Sequence, residues 1–80
     1  LETLDTRGLL CPLPVIRTQD FIKTRKSQGS VAGLQLLVIA SDPGALHDIP
    51  AWCRVHGHEI CNIEEQEHEI TITLRVGQSG

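Results

Sequence analysis

The residue in this chain best placed to do chemistry is Cys11, which is followed by Pro12, Leu13 and Pro14 at the predicted start of a helix. Proline is favoured at the first helical position, so the pattern predicts Pro12 there and Cys11 as the N-cap. A sulfur at an N-cap faces the positive end of the helix dipole, which favours thiolate over thiol. Pro14 has no N–H, so the N–H of Leu13 is the remaining local donor to the sulfur. We therefore predict a nucleophilic cysteine.

Two other kinds of side chain could assist this thiol. Asp5 and Arg7 precede it in the chain. A surface ion pair is the default interpretation, although Arg7 could also raise the thiolate fraction of Cys11 or contact a partner. No histidine lies near Cys11 in sequence, so a cysteine–histidine pair would require the fold to bring in His47 or His56.

Two aspartates further along the chain have a structural and a chemical interpretation. Asp42 precedes Pro43, and this pair predicts the N-terminus of a second helical segment. Pro50 interrupts that segment, which predicts either a kink or a restart in which Asp48 caps a new helix. Helix capping accounts for both aspartates, whereas the chemical alternative is a pair of carboxylates for acid–base work.

A possible metal site follows, in which Cys53, His56, His58 and Cys61 have the spacing C-x2-H-x-H-x2-C. This spacing matches no common zinc pattern. His58 and Cys61 also have opposite parity along the next predicted strand, so their side chains should point to opposite sides. We therefore predict no metal site, a half-buried Cys53 on a helix, and two histidines on either side of a Gly57 C-cap.

The elements that must position these residues follow from the spacing of apolar residues. The predicted order is a strand at 1–6, a helix at 12–26, a strand at 34–40, a helical segment at 42–56, and a hairpin of strands 60–64 and 70–76 around a turn at 65–68. The first helix is expected to place Val15, Gln19, Ile22 and Lys26 along one stripe. The last strand alternates apolar and polar residues, which indicates a sheet with one wet face. The prediction is an α+β fold, a two-layer α/β sandwich with both helices on one face of a four-stranded mixed sheet.

Composition limits the classes of function. The 80 residues are 40% hydrophobic and 21% charged, which predicts a single domain over 1–80. The net charge of −3 argues against direct nucleic-acid binding, because phosphate contacts need clustered Lys and Arg. The chain shows no signal peptide or membrane-spanning run, and its three cysteines do not have the spacing of a disulfide scaffold. These features predict a cytoplasmic protein without a membrane partner.

The motifs together resemble the TusA/SirA family of small sulfur-carrier proteins over almost the whole chain. The matching residues are 4–14, Asp42-Pro43, Asp48-Ile49-Pro50, Cys53 and 57–59. The resemblance implies the same β-α-β-α-β-β sandwich and a persulfide carried on Cys11. The residues expected to support Cys11 or to contact a partner are Arg7, Gly8, Pro12, Leu13, Pro14, Asp42 and Asp48.

The function that the resemblance implies is a sulfur relay. Cys11 would take sulfane sulfur from a donor such as a cysteine desulfurase or a rhodanese-like protein and pass it to an acceptor protein. Such a sulfur carrier would serve tRNA thiolation, cofactor synthesis or sulfur oxidation. We expect it to be a monomer without a cofactor, and a sulfurtransferase in a relay rather than a stand-alone enzyme. One alternative is a regulatory or interaction module of the same fold that does not use the thiol. Another is a zinc-binding or thiol-redox protein that uses Cys53 and Cys61.

Overall fold

The computed structural model describes residues 1–77, and in them four strands and two helices follow one another in the predicted order. The elements are β1 (Glu2–Thr6), α1 (Leu13–Gln28), β2 (Gln35–Ala40), α2 (Ala45–His56), β3 (Glu59–Gln66) and β4 (Glu69–Arg75). The α+β sandwich is confirmed. The last three residues of the predicted domain, 78–80, lie outside the described residues. Neither helix in the described part has the length and apolarity needed to cross a bilayer.

The sheet has the order β1-β2-β4-β3, with the two most apolar strands at its centre. β1 and β2 are parallel, and β4 is antiparallel to both β2 and β3. Val38 of β2 pairs with Leu4 on one side and with Ile72 on the other. The hairpin turn contains only Glu67 and His68, and is shorter than predicted because β3 continues to Gln66.

The core lies between one face of this sheet and the two helices. Every second residue of β2 and β4 is buried, as the alternation of the last strand predicts. The buried set is Leu36, Val38, Ala40, Ile70, Ile72 and Leu74, and Val76 directly after β4 is buried as well. Each helix adds a buried stripe with a spacing of four residues, namely Pro14, Thr18 and Ile22 in α1 and Ala45, Ile49 and Cys53 in α2. Of the stripe predicted for the first helix, Ile22 is buried and Val15 packs against the core, whereas Lys26 is exposed. The Thr18 hydroxyl donates to the Pro14 carbonyl at 2.8 Å, so burial leaves it satisfied.

The second helical segment is one helix, and the predicted restart is wrong. α2 begins at Ala45 with Gly44 as its N-cap, and it continues through Pro50. A proline here removes one backbone hydrogen bond, while the buried stripe that includes Ile49 keeps the helix against the sheet. Asp48 therefore lies in the first turn of α2 and caps no second helix. The C-terminus agrees with the prediction, because Gly57 has a left-handed φ of 79°.

His58 follows this C-cap and makes the stability of the fold sensitive to acid. Its ring is buried and packs against Trp52, and Nδ1 accepts the N–H of Gly77 at 3.0 Å. Burial lowers the pKa of His58 below its ordinary value, and the neighbouring His56 adds to this effect. The folded protein therefore binds this proton less readily than the unfolded chain does. Its stabilising contribution is complete above about pH 6.5 and falls as the pH drops below that value.

We expect the free energy of unfolding, measured by urea denaturation, to be lower at about pH 5 than at pH 7. His58→Gln should reduce this difference, because it removes the titrating group. His68→Gln is the matched control, since the His68 side chain is 90% exposed. An equal acid destabilisation in the wild type and in His58→Gln would contradict the assignment to His58.

Candidate active site

Cys11 lies on the turn that joins β1 to α1, and its side chain is exposed. The N–H of Leu13 closes this turn on the carbonyl of Leu10 at 2.8 Å, and the Cys11–Pro12 peptide bond within it is cis. The N–H of Ile16 donates to the carbonyl of Pro12 at 3.1 Å, so Pro12 is the N-cap and α1 begins at Leu13. The prediction of Cys11 as N-cap is therefore wrong by one residue. The Leu13 N–H is also not available to the sulfur, because the turn already uses it.

Hydrogen bonds hold this turn against the loop that follows β2. Parallel pairing of β1 with β2 brings the C-terminal ends of both strands to the same edge. There the N–H of Gly8 donates to the Ser41 hydroxyl at 2.8 Å, and Gly8 has a φ of 85°, which favours glycine. The N–H of Cys11 donates to Oδ2 of Asp42 at 2.7 Å. The loop that carries the thiol is thus attached at two points.

Gly44 allows the start of α2 to approach Cys11 closely. A Cβ atom at this position would lie 3.3 Å from the Cβ of Cys11 and 3.3 Å from Oδ2 of Asp42. Both contacts are tighter than most real Cβ contacts, so a larger side chain would push the thiol-bearing turn away. The N-termini of α1 and α2 therefore both lie beside Cys11, where their dipoles favour negative charge.

Asp48 is the side-chain partner of the thiol, which pairs with neither His47 nor His56. Sγ of Cys11 donates a hydrogen bond to Oδ2 of Asp48. This hydrogen bond raises the pKa of Cys11 above its ordinary value, with further contributions from desolvation and from the negative charges of Asp48 and Asp42. The predicted lowering of the pKa is therefore wrong. A carboxylate stabilises the S–H that donates to it and repels the thiolate, and this opposes the helix dipoles.

Arg7 contacts two carboxylates and not the sulfur of Cys11. Its guanidinium pairs with Asp5 at 2.9 Å and with Glu69 at 3.3 Å. The hydrogen bonds from Arg7 lower the pKa of Asp5 to about 2. This is the surface ion pair that was the default interpretation.

The other two cysteines differ sharply in accessibility. Cys53 is buried, more completely than predicted, and burial raises its pKa to about 11. Cys61 is exposed on β3, where the pairing with β4 shifts between Ile60 and Asn62. Within residues 1–77, no group of three or more His, Cys, Asp or Glu side chains is arranged to hold a metal ion. Cys11 and Cys61 are therefore the thiols that a partner or reagent can reach in the folded protein.

Three apolar residues that are near Cys11 in the chain are exposed at the start of α1 and just before it. Leu10, Leu13 and Ile16 are 72%, 42% and 43% exposed. Pro14, in contrast, is buried in the core, where it fixes the first turn of α1. The site thus combines an exposed thiol and exposed apolar residues with two carboxylates.

Sequence reasoning did not identify three features of this site: the contact of Asp48 with the sulfur, the hydroxyl of Ser41, and the close approach at Gly44. Ser41 and Gly44 directly flank Asp42-Pro43, so their position beside a predicted helix start was the available signal. Nothing in the spacing of residues indicates which atoms they contact.

Comparison with known proteins identifies the family. The family model described as "Sulfurtransferase TusA" matches residues 2–76. The chain belongs to the TusA family. A protein of Neisseria meningitidis serogroup A, named "Putative sulfur carrier protein", is 39% identical over 74 residues, which are 92% of this chain and 93% of that protein. YrkF of Bacillus subtilis, named in the same way, is 35% identical over 74 residues; the match covers 92% of this chain and 37% of YrkF.

The TusA fold is also present in a solved structure. The crystal structure of a SirA-like protein from Desulfitobacterium hafniense superimposes with a TM-score of 0.77, covering 96% of this chain and 99% of that one. At 22% sequence identity this likeness concerns the fold. The family match and the names of the two relatives support a sulfur-carrier role, which implies protein partners in a sulfur relay.

Proposed function

We propose that this protein accepts sulfane sulfur as a persulfide on Cys11 and relays it to a partner protein. The observation that carries the proposal is the exposed position of Cys11 on a turn whose backbone is bonded to Asp42 and Ser41. Sulfur exchange between two proteins needs an accessible sulfur held in a defined place more than it needs a deep pocket.

The transfer is an exchange between a thiol and a persulfide. The sulfur of Cys11 attacks the terminal sulfur of a donor persulfide, so that a new S–S bond forms and the donor S–S bond breaks. The donor leaves as a thiol, and Cys11 carries one additional sulfur. In the second step an acceptor cysteine attacks that outer sulfur, and Cys11 returns to its starting state. Neither step has a net oxidation or needs a cofactor.

The surroundings of Cys11 favour a protein as the donor and as the acceptor. Leu10, Leu13 and Ile16 expose apolar surface beside the thiol, and such surface is typical of a contact with another protein. The donor would carry its own persulfide, as a cysteine desulfurase or a rhodanese-like protein does. The acceptor would present a cysteine of a further relay protein or of an enzyme.

The test is sulfur loading followed by mass spectrometry. The reduced protein is incubated with a cysteine desulfurase and cysteine, and separately with a rhodanese-like donor, and is then alkylated and digested. We expect the added mass of one sulfur atom on the peptide that contains Cys11. The peptide that contains the exposed Cys61 is the internal control and should stay unchanged. No added sulfur with either donor would contradict the proposal and favour a regulatory or interaction module that does not use the thiol.

A further inference from the structure

We propose that Asp48 is a positioning residue that keeps Cys11 mainly as the less reactive thiol in the free protein at neutral pH. This inference deepens the proposed function and rests on it. It concerns how the reactivity of Cys11 is controlled.

Asp42 and Asp48 contact different atoms of Cys11. Asp42 accepts the backbone N–H of Cys11 and so holds the turn. Asp48 accepts the S–H and so contacts the reactive atom itself. Its neighbour Ile49 is fully buried, which keeps the first turn of α2, and with it the Asp48 carboxylate, in place.

The charges around Cys11 favour the thiol. Among the described residues, neither Asp42 nor Asp48 forms an ion pair with Lys, Arg or His, so no cation contacts these carboxylates directly. The N-termini of α1 and α2 act in the opposite direction, because they favour an anion. The raised pKa of Cys11 is consistent with the carboxylates having the larger effect.

The proton balance of the transfer explains why this arrangement suits a carrier. A carboxylate is a weaker base than a thiolate by several pKa units, so Asp48 orients the hydrogen of Cys11 but does not remove it. The thiolate form of Cys11 attacks the outer sulfur of the donor, and the departing donor sulfur leaves as a thiolate that takes up one proton. One proton leaves Cys11 and one is taken up by the donor, so the transfer has no net proton release. The free protein is meanwhile protected, since oxidants and alkylating reagents attack the thiolate.

The experiment measures how the alkylation rate of Cys11 depends on pH in the wild type, Asp48→Asn and Asp48→Glu. The Cys11 peptide is quantified by mass spectrometry, so that Cys61 does not contribute. Asp48→Asn should move the midpoint of the profile to lower pH. Each unit of that fall raises the thiolate fraction at pH 7 about tenfold. The thiolate of a more acidic thiol is a weaker nucleophile, which lowers the rate about threefold per unit. The net increase in the alkylation rate at pH 7 is therefore about threefold per unit fall of the pKa.

Two variants separate this role from a structural one. Asp48→Glu keeps the charge and should stay close to the wild-type profile. Asp20→Asn removes an equal charge from an exposed position about two helical turns after the start of α1. It should not move the pH midpoint of Cys11 alkylation. If Asp48→Asn only loosened the fold, its thermal midpoint measured by circular dichroism would fall. The pH midpoint of Cys11 alkylation would then not return to the wild-type value in Asp48→Glu.

The possible results separate this inference from the proposed function. If Asp48→Asn is folded and its pH midpoint equals or exceeds that of the wild type, the role of Asp48 is wrong, whatever the loading assay shows. If the midpoint falls and Glu restores it, Asp48 controls the thiol. A loading assay that then shows no sulfur on Cys11 would remove the proposed function alone, because alkylation needs no sulfur donor.

Discussion

Replacing Cys11 with serine is expected to abolish sulfur loading, down to the level of a reaction without donor. Serine keeps the approximate size of the side chain and can still donate to Asp48, so the turn and the start of α1 should be retained. A hydroxyl, however, cannot form the S–S bond on which the transfer depends. The measurement is the intact mass after incubation with a cysteine desulfurase and cysteine, with circular dichroism as the check on folding.

Cys61→Ser is the matched control for this result, because Cys61 is the other exposed thiol. It lies on the edge strand β3 and should load as the wild type does. Cys53 should contribute nothing to loading in either variant, since it is buried and its pKa is raised to about 11. Full loading of Cys11→Ser, or loss of loading in Cys61→Ser, would place the carried sulfur on a different cysteine.

The sheet could be predicted from sequence because its signals are local. The alternation in β4 identifies the buried face directly, since successive strand residues point to opposite sides. The apolar run of β2 likewise indicates a central strand, and the structure places it between β1 and β4. These two strand patterns, together with the apolar spacing and the prolines that predict the two helices, are sufficient to predict the order of the elements.

The buried face of α1 could not be predicted because its residues are not the most apolar ones. Thr18 is fully buried, whereas Ile16 is 43% exposed. A hydroxyl can be buried here only because the Pro14 carbonyl, one turn earlier, accepts its hydrogen. A scale of hydrophobicity does not contain that local hydrogen bond, and so the predicted stripe includes Ile22 and Val15 but misses Thr18.

The protonation of Cys11 was predicted with the wrong sign for a related reason. The helix dipole is a local property that sequence reveals, and it favours thiolate. The carboxylate that opposes it comes from Asp48, which is 37 residues away in the chain. Only the parallel pairing of β1 with β2 brings the two residues to the same edge of the sheet. The location of the thiol was thus predictable, but its proton affinity was not.

The same geometry explains why the separate motifs form one site. The Cys-Pro-x-Pro turn provides the sulfur, Asp42-Pro43 fixes the backbone of Cys11, and Asp48-Ile49-Pro50 contacts the sulfur. In that last motif Asp48 faces the site while Ile49 faces the core. One turn of α2 therefore joins the reactivity of the thiol to the stability of the domain.

Ile49→Ala is accordingly expected to cause the largest loss of stability among the substitutions considered. Ile49 is fully buried between α2 and the sheet, and its truncation leaves a cavity as well as lost apolar burial. Such a change costs about 2–5 kcal/mol. A chain of 80 residues has a total stability of roughly 4–12 kcal/mol. The variant should therefore lose a large part of its unfolding free energy in urea denaturation, with an unchanged m-value.

The matched control is Ile16→Ala, the same substitution at a position of the other helix that is 43% exposed. It removes less buried area than Ile49→Ala and introduces the best helix former, so the unfolding free energy should fall by about 1 kcal/mol or less. Similar losses in the two variants would show that burial at Ile49 does not hold α2 to the sheet. A large difference would show that the turn bearing Asp48 is anchored through its buried neighbour, since α2 contributes Ala45, Ile49 and Cys53 to the core.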